Sequence, residues 1–547
     1  MTRLKLSALL MMGTLAIGQG PSAMAQAPER PKLVVGIVVD QMRWDYLYRY
    51  ADRYESGGFK RMLSEGFSCE NTTISHLPSF TAVGHSTVYT GSVPAIHGIT
   101  GNDWTDQLTG RKWYCTEDTV AQSVGSTSKA GQMSPRNLLA STITDELRFA
   151  TNFRSKVVGV SLKDRASILP AGHTPNGAFW FDDANGSFIT STYYMKELPE
   201  WVKRFNGRKL PEQLMSRPWE PLYPINSYVQ SSADNVSWEG TFGGEKAPVF
   251  PHNMKEIYKK NPGSLRSTPS GNTLTLEFAM AAVDGYSLGS GEATDFLTIN
   301  CASTDYVGHQ YGPNSIEVED TYLRLDKDLA GFFSYLDKKV GKGNYLVFLT
   351  ADHGAAHSVG FMNEYNVPAG FVKDKPMMAS LDSLLAVRFG VKGLVRSGMN
   401  YHVNYDVNKI EANKLDYDAI KKETVKFLQR QPGIQFAADI DNLGDSPIPQ
   451  PIKSMIANGY NPKRTGSVMI IPEPGWYQGF EKGTTHGNWN LYDIHIPLVF
   501  MGWHVQHGAS NEITHMTDIA ATLAAMLHIQ MPNGCVGRPI ESVISRK

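Results

Sequence analysis

Six residues with metal-binding side chains follow short apolar stretches of the chain. They are Asp40, Asp305, His309, Asp352, His353 and His486. Carboxylate oxygens and imidazole nitrogens together suit Zn²⁺ better than other common metal ions. Six ligands are too many for one tetrahedral ion, and two ions roughly 3.5–4 Å apart can contact both the attacking and the leaving oxygen of a phosphoryl transfer. The residue types therefore predict a two-metal hydrolytic site.

Each of these residues also has an ordinary structural explanation, because an Asp after a strand often caps a helix and a lone His is often structural. The metal interpretation depends on all six following strands of one predicted sheet, whose carboxyl ends gather ligands. Asp305 and His309 are four residues apart, so one helical turn would place them on one face. Asp352 and His353 are adjacent and need a bend, which Gly354 would make easy.

A hydroxyl-rich segment between Asp40 and the later ligands offers a nucleophile. Thr81 is expected at the start of a helix, where a metal ion would lower its pKa and the helix N-terminus would favour the attacking anion. Two alternatives stay open at the level of sequence. In the first, Thr81 only caps the helix. In the second, Ser79 or Ser86 is the attacking group.

Two basic residues and one amide could bind a phosphate group. Lys163 and Arg165 follow the predicted strand 156–160, and in an extended chain residues two apart project to the same side. Two converging cations are unfavourable unless an anion lies between them, and an Arg can contact two phosphate oxygens at once. A solvated basic edge is the alternative. Asn102 could donate to another phosphoryl oxygen, although such Gly-Asn turns are common.

The elements that position these residues form an α/β pattern. Strands that are apolar on both faces indicate a mostly parallel sheet covered by helices on both sides, a three-layer αβα sandwich. The strands are predicted at 32–39, 156–160, 296–302, 345–350, 467–471 and 497–501. Helices are predicted from Ser134 to about Phe149, from Ile316 to Val340, from Tyr417 to Gln429, and from Asp518 to Leu527 with Thr517 as the cap.

Two regions interrupt this pattern and are predicted to be insertions into a single catalytic domain spanning residues 26–547. They are about 166–290, with a hairpin around residues 183–186, and about 376–483. The chain has 547 residues, 41% of them hydrophobic, which is ample for a large core. Lys and Arg number 52 against 53 Asp and Glu, a balance that disfavours binding to nucleic acid or to an acidic membrane surface.

The N-terminus has the three parts of a secretory signal peptide. Basic residues at 3 and 5 precede an apolar run over 6–17, and small residues follow up to Ala25. We expect cleavage after Ala25 and a periplasmic or secreted protein without stable membrane association. Export permits a Cys69–Cys115 disulfide, which the spacing cannot establish. Cys301 lies in an apolar run and is expected to be a buried thiol.

Seven segments together resemble the alkaline phosphatase superfamily, and most closely the monomeric bacterial alkaline phosphatases of the PafA type, which use a threonine nucleophile. The segments are, in order, Val-Val-Asp40-Gln-Met-Arg-Trp-Asp-Tyr, Phe-Thr81-Ala-Val-Gly-His, Gly-Asn102-Asp-Trp, Leu-Lys163-Asp-Arg165-Ala, Ser-Thr-Asp305-Tyr-Val-Gly-His309, Ala-Asp352-His353-Gly and Thr-Thr-His486-Gly. The resemblance covers essentially the whole mature chain.

The resemblance implies a role for each of these residues. One zinc ion would be held by Asp305, His309 and His486, and a second by Asp40, Asp352, His353 and the Thr81 oxygen. Thr81 would attack phosphorus and form a phosphothreonine intermediate. Asn102, Lys163 and Arg165 would contact the non-bridging oxygens. The implied protein is an exported monomer that hydrolyses a broad range of phosphate monoesters and releases inorganic phosphate.

Other functions fit the sequence less well. A phosphodiesterase or nucleotide pyrophosphatase of the same superfamily is the nearest alternative, but a diester offers Lys163 and Arg165 one fewer charged oxygen. A sulfatase would need Cys or Ser in a C/S-x-P-x-R context, and a cofactor-independent phosphoglycerate mutase would be cytosolic. A non-catalytic periplasmic zinc-binding protein would leave Thr81 without a role.

Overall fold

The computed structural model of the protein describes residues 29–479 and 481–544. The expected signal peptide, residues 1–25, lies outside these ranges. No helix within them is long and apolar enough to cross a membrane.

The described strands are mostly short. They are Leu33–Val39 (β1), Phe67–Thr73 (β2), Asp103–Thr105 (β3), Lys112–Tyr114 (β4), Ser123–Val124 (β5), Val157–Ser161 (β6), Gly177–Asp182 (β7), Ser187–Ser191 (β8), Asp295–Cys301 (β9), Tyr345–Thr350 (β10), Gly370–Phe371 (β11), Val395–Ser397 (β12), His402–Tyr405 (β13), Ile434–Asp439 (β14), Val468–Pro472 (β15), Trp476–Tyr477 (β16), His495–Ile496 (β17), Leu498–Gly502 (β18) and Gly508–His515 (β19).

Helices connect most of these strands. They are Tyr46–Arg49 (α1), Phe59–Glu65 (α2), Thr81–Thr90 (α3), Pro94–His97 (α4), Ile143–Ala150 (α5), Asp164–Ala171 (α6), Glu200–Gly207 (α7), Leu210–Leu214 (α8), Met254–Lys260 (α9), Ser270–Tyr286 (α10), Ser303–Tyr311 (α11), Ile316–Leu336 (α12), Val359–Glu364 (α13), Asp374–Phe389 (α14), Val407–Ala412 (α15), Tyr417–Leu428 (α16), Ile452–Gly459 (α17), Leu491–Ile494 (α18), Asp518–Leu527 (α19) and Glu541–Ile544 (α20).

A large mixed sheet forms the centre of the fold, in the order β17-β2-β18-β10-β1-β9-β6-β7-β8-β5, with β19 paired to β2. Its middle five strands, β10, β1, β9, β6 and β7, are parallel to one another. Antiparallel strands extend it at both sides through β18 and β8. The expected α/β fold with a large, mostly parallel central sheet is confirmed.

Burial of both faces explains why the central strands are rich in apolar residues. All residues of β1, β9 and β10 are buried. The Tyr89 ring of α3 packs over Phe296 and Phe348, at centroid distances of 6.2 and 5.9 Å. A Cβ atom at Gly36 would lie 2.4 Å from the Tyr89 hydroxyl, so this helix contacts the sheet closely where β1 has no side chain.

The parallel register brings three strand ends to one level. Val39 is paired with Cys301, and Val38 is paired with Thr350. The residues that follow β1, β9 and β10 therefore leave the sheet side by side at its carboxyl edge. This is the arrangement in which open α/β sheets collect ligand-binding residues.

One expected strand of the central sheet belongs to another sheet, and two strands of a predicted insertion belong to the central sheet. Strand β15 lies in a separate four-stranded sheet, β12-β13-β15-β14, and is antiparallel to both of its neighbours, so the prediction that it belongs to the central sheet is wrong. Within the first predicted insertion, about 166–290, β7 and β8 extend the central sheet. The predicted hairpin around residues 183–186 is confirmed and joins these two strands.

One helix boundary predicted from the sequence is also wrong. The helix expected from Ser134 begins only at Ile143. The Ser134 hydroxyl donates to Asp118 (2.7 Å) and accepts from the Arg136 N–H (3.3 Å), and only a turn follows it, closed by the Leu138 N–H and the Pro135 carbonyl oxygen. Thr142 caps α5 in a reciprocal arrangement with Asp145. The helices predicted over 316–340, 417–429 and 518–527 are confirmed within a few residues, although Thr517 makes no side-chain cap to α19.

The four cysteines are free thiols in the structure. Cys69 packs in the main hydrophobic core, whereas Cys115 lies in a smaller cluster with Trp104. The Cys69–Cys115 disulfide that the sequence left open is therefore absent. Cys301 is buried at the end of β9, as expected.

Candidate active site

Three adjacent strand ends supply five of the six expected metal ligands. Asp40 directly follows β1, and Asp352 comes two residues after β10. Asp305 and His309 lie in α11, which begins two residues after β9. Their side chains share one face of the helix, with 3.1 Å between Asp305 Oδ1 and His309 Nε2. Asp305 and His309 therefore lie together on one helix face, as their four-residue spacing predicted.

Two groups of buried side chains could each hold a metal ion, with ligand atoms less than 4.8 Å apart. They are Asp305, His353 and His486, and Asp40, Asp352 and His353. His353 belongs to both groups, because its ring stacks on His486 at 3.4 Å and its Nε2 atom lies 3.7 Å from Asp40. The resemblance places His353 with the second ion alone, whereas the side chain stands between the two groups.

His486 reaches the site from a loop. It follows β16 by nine residues, and the strand from which it was predicted to emerge is part of the small antiparallel sheet. Its Nδ1 atom lies 2.7 Å from the carbonyl oxygen of Ser79. The segment just before Thr81 thus fixes the His486 imidazole. His486 lies with the other candidate ligands, but it does not follow a strand of the central sheet, so the argument from strand ends is wrong for it.

The three imidazoles are oriented as metal ligands usually are. In each one Nδ1 lies 2.7–3.0 Å from a backbone carbonyl oxygen, so Nδ1–H donates and Nε2 is left for other partners. The residues are His309, His353 and His486. Burial lowers the pKa of His309, but Asp305, beside its Nε2, raises that pKa above the ordinary value. Burial lowers the pKa of His353, and burial followed by His353 lowers that of His486 well below the usual value. Both rings are therefore neutral and able to bind a cation.

Buried carboxylate oxygens without partners also fit a metal site. Asp40 Oδ1 and Asp352 Oδ2 accept no hydrogen bond. Burial, and then the neighbouring Asp352, raise the pKa of Asp40 well above its ordinary value. A buried carboxylate that stays ionised needs a compensating cation. The donor set, with three carboxylates and three imidazoles, is therefore chemically suited to divalent ions.

Thr81 is the first residue of α3, and Phe80 occupies the N-cap position without a side-chain cap. The Thr81 hydroxyl oxygen lies 3.4 Å from His353 Nε2, so it faces the metal groups and does not cap the helix. The alternative nucleophiles are engaged elsewhere. Ser79 donates to the Asn488 carbonyl oxygen (3.2 Å), and Ser86 donates to that of Ala82 (2.8 Å).

Lys163 and Arg165 line the same cavity, but not because they alternate along an extended strand as predicted. Lys163 precedes α6 and Arg165 lies in its first turn, so they do not alternate along a strand. Both line a cavity of about 710 Å³. Lys163 Nζ donates to Asp40 (2.9 Å) and Asp305 (2.6 Å), which raise its pKa although burial lowers it. The ammonium group thus joins the two carboxylates that belong to different metal groups.

Asn102 is held with its amide nitrogen free to donate. Its Oδ1 atom accepts from the Ala82 backbone N–H (3.0 Å), beside Thr81. Its carbonyl oxygen accepts from the Cys115 N–H (2.9 Å) across the β3–β4 hairpin. The amide therefore lies next to the first turn of α3.

The comparison with known proteins identifies the family. The profile of the type I phosphodiesterase / nucleotide pyrophosphatase family, which is part of the alkaline phosphatase superfamily, matches residues 34–496. The chain belongs to this family. The superfamily resemblance inferred from the seven segments is confirmed.

Members close to this chain are similar over nearly their full length. "Alkaline phosphatase PafA" of Elizabethkingia meningoseptica is 55% identical over 540 residues, 98% of this chain and 99% of the relative. "Alkaline phosphatase PhoV" of Synechococcus elongatus is 54% identical over 524 residues, 96% and 95% of the two chains. A crystal structure of wild-type PafA superimposes with a TM-score of 0.93 at 56% identity, covering 95% of this chain and 100% of that one.

Several polar residues around the site of this family member were not found from the sequence. Gln41 donates to Asp305 (2.7 Å), and Asn300 donates to Asp40 (3.1 Å). The Tyr114 hydroxyl accepts from Arg165 (3.1 Å) and lines the same cavity. Gln41 had a signal, because it directly follows Asp40. Asn300 and Tyr114 had no such signal in the sequence, because nothing local distinguishes them from other strand and hairpin residues.

The backbone of Asp352 contacts α3 without intervening side-chain atoms. A Cβ atom at Gly84 would lie 2.2 Å from the Asp352 carbonyl oxygen. Gly84→Ala is therefore expected to push α3 and the Asp352 segment apart, destabilising the protein by roughly 1–3 kcal/mol and displacing Thr81. Urea unfolding and kcat measure the two effects.

Gly331→Ala is the matched control, because Gly331 lies in α12 and a Cβ atom there would meet nothing within 4 Å. It should leave kcat unchanged and stabilise the helix slightly. Equal stability and activity of the two variants would contradict the close contact at Gly84.

Proposed function

We propose that this protein is an alkaline phosphatase that hydrolyses phosphate monoesters through a phosphothreonine intermediate at Thr81. One observation carries the proposal. The Thr81 hydroxyl, at the N-terminus of α3, lies 3.4 Å from the imidazole that stands between two buried metal-ligand groups. The 55% and 54% identity to alkaline phosphatases PafA and PhoV supports the same activity.

Two zinc ions are proposed to bind the two ligand groups. Asp305, His309 and His486 would hold one, and Asp40, Asp352, His353 and the Thr81 oxygen would hold the other. His309 joins the first group through its contact with Asp305. When bound, such ions neutralise charge on the phosphoryl group and on the attacking and leaving oxygens.

The protein's own groups orient the reacting atoms. The Thr81 hydroxyl gives its proton to water, its oxygen bonds to phosphorus, and the bond from phosphorus to the leaving oxygen breaks; that oxygen takes a proton from water and leaves as the alcohol. Water then cleaves the bond between phosphorus and the Thr81 oxygen, which restores the hydroxyl and releases inorganic phosphate. The N-terminal end of α3 favours negative charge at the Thr81 oxygen. Asn102, Lys163 and Arg165 are proposed to contact the non-bridging oxygens. Because phosphoryl transfer proceeds through a loose transition state, positioning and charge neutralisation supply most of the catalysis.

A phosphodiesterase activity is the second candidate, and one observation favours it: the matching family profile is named for phosphodiesterases and nucleotide pyrophosphatases. Against it stand two cations, Lys163 and Arg165, that line one cavity. A monoester presents one more charged oxygen than a diester, so it gains more from these groups. We therefore propose phosphate monoesters as the main substrates.

The test compares p-nitrophenyl phosphate with bis(p-nitrophenyl) phosphate at alkaline pH, before and after chelation. We expect faster hydrolysis of the monoester, loss of activity with the chelator, and recovery on adding zinc. Adding magnesium or calcium to the chelated protein is the matched control and should not restore activity. A faster rate on the diester would reverse the substrate assignment, and full activity after chelation would refute the metal mechanism.

We further propose that the protein is exported and acts as a monomer. The charged, apolar and small-residue segments of positions 1–25 support export with cleavage after Ala25. Candidate metal ligands of both groups come from this one chain, so the site needs no partner subunit.

A further inference from the structure

Gln41 is buried between the two groups of candidate metal ligands and takes no part in the proposed reaction. The residue is 3% exposed and directly follows Asp40. Its side-chain amide donates to Asp305 Oδ1 (2.7 Å), and its backbone N–H donates to Asp352 Oδ1 (3.1 Å). Asp305 and Asp352 belong to different ligand groups. One residue thus contacts a carboxylate of each group through two separate donors.

The backbone of Gln41 has a conformation that a residue with a long side chain rarely adopts. The Met42 N–H donates to the Val39 carbonyl oxygen (3.2 Å), which closes a β-turn with Gln41 at its third position. The φ angle of Gln41 is +64°, in the left-handed region. Turns with a positive φ at this position usually carry Gly or Asn there. Because the conformation costs free energy for a Gln, its presence points to a use for the side chain.

Contacts on both sides of the Asp40–Gln41 peptide hold this conformation in place. The Thr304 hydroxyl donates to the Asp40 carbonyl oxygen (2.6 Å), and the Gln41 N–H donates to Asp352. Both polar atoms of the peptide are therefore bonded to segments that carry candidate ligands, α11 and the turn after β10. A strained residue persists where its surroundings over-determine it, and such residues are common at functional sites.

The Gln41 amide binds the oxygen of Asp305 that faces the imidazoles. Asp305 Oδ1 lies 3.1 Å from His309 Nε2 and 3.8 Å from His486 Nε2. Asp305 Oδ2 instead accepts from Lys163 (2.6 Å). The two hydrogen bonds fix the rotation of the carboxylate, so that Oδ1 stays directed at the ring nitrogens that would share an ion with it.

The same amide packs against the helix that carries Asp305. A Cβ atom at Gly308 of α11 would lie 3.0 Å from Gln41 Cδ and would overlap the amide oxygen. Gly308 thus leaves the space that the amide occupies. The amide, the Asp305 carboxylate and α11 therefore form one packed unit.

We propose that Gln41 is a positioning residue for metal binding. Its side-chain amide raises the zinc affinity of the group that contains Asp305, His309 and His486, an inference that rests on the two-metal site of the proposed function. Removing a hydrogen-bond partner of a metal ligand typically weakens metal binding roughly 10–100-fold. Because Asp352 is bound by the backbone N–H of Gln41, a change of the side chain alone should spare the second group.

The test measures zinc affinity and needs no activity. The full chain, freed of metal, is titrated with zinc in competition with a chelating dye, which gives an affinity for each of the two ions. Gln41→Met keeps the length of the side chain without its amide, and it should bind one ion roughly 10–100-fold more weakly and the other normally. Gln429→Met changes an exposed Gln at the end of α16 and is the matched control, with two unchanged affinities.

Gly308→Ala tests the same amide without changing Gln41. The added methyl group should displace the amide from Asp305, while Ala favours the helix, so the metal-free chain should keep its Tm although the same ion binds more weakly. Gly331→Ala, where a Cβ atom would meet nothing within 4 Å, is the control and should bind zinc normally. The Gln41→Met/Gly308→Ala double variant should lose no more affinity than the weaker-binding single variant, because both changes remove one hydrogen bond.

The possible outcomes separate this proposal from the proposed function. Weaker binding of one ion in both single variants, with no further loss in the double variant, supports it. Unchanged affinities in Gln41→Met, or in Gly308→Ala if Gln41→Met does not fold, refute it and leave the two-metal site standing. Equal weakening of both ions, or losses that multiply in the double variant, also refute it, because they indicate a general disturbance of the site. An unmodified chain that binds no zinc refutes the proposal and the two-metal site together.

Discussion

Thr81→Ala is expected to lower kcat for p-nitrophenyl phosphate by roughly 10⁴-fold or more, the scale seen when a covalent nucleophile is removed from other hydrolases. Thr81 is only one of the four proposed ligands of the second zinc ion, and the buried Asp40, Asp352 and His353 remain in the variant. Zinc content and Tm should therefore stay close to those of the unmodified protein. Steady-state kinetics, metal analysis and thermal unfolding measure the three quantities.

Two further variants make the Thr81 result specific. Thr81→Ser keeps a hydroxyl at the start of α3 and should retain much of the activity. Ser79→Ala removes a hydroxyl two residues away that donates to a backbone carbonyl oxygen, and it should act mainly on stability. If Thr81→Ala kept near-normal kcat, or if Ser79→Ala were the inactive variant, the nucleophile assignment would be wrong.

The second large effect is expected from Arg165→Ala, which should lower kcat/KM for the monoester on the order of 10²–10³-fold, the cost of removing one strong charge-stabilising donor. The same change should affect the diester much less, because a diester has one fewer charged oxygen. Arg165 donates to the Tyr114 hydroxyl and lines the cavity. The ratio of the two kcat/KM values therefore reports its role.

Arg430→Ala is the control for charge alone, because Arg430 is exposed and remote in the chain from the site residues. Arg430→Ala should change neither the kcat/KM for the monoester nor the ratio of the monoester and diester kcat/KM values. Inhibition by inorganic phosphate should weaken in the Arg165 variant and stay unchanged in the control. An equal loss of monoester and diester activity would mean that Arg165 acts on folding or on the metals, contrary to our assignment.

Several parts of the fold and site could be predicted from local sequence pattern. Strands β1 and β10 are apolar at nearly every position, because a strand covered on both faces buries all of its side chains. A polar residue after such a strand must lie at the sheet edge, which placed Asp40, Asp305 and Asp352 correctly. The four-residue spacing of Asp305 and His309 fixed their common face, since helical periodicity is a local property.

Other features depended on contacts between distant segments. His486 enters from a loop held by Ser79, which is 407 residues away, and no local pattern marks such a partner. Lys163 and Arg165 meet at a helix start, because the chain turns immediately after β6, where an extended continuation was expected.

The sequence by itself thus determined the α/β class, the central strands and the candidate ligands, because periodicity and residue type are local properties. Only the tertiary structure decided that His353 lies between both metal groups and that Lys163 joins a carboxylate of each group. Those arrangements arise where separate segments pack, and the free energy of packing depends on three-dimensional contacts that spacing along the chain does not encode.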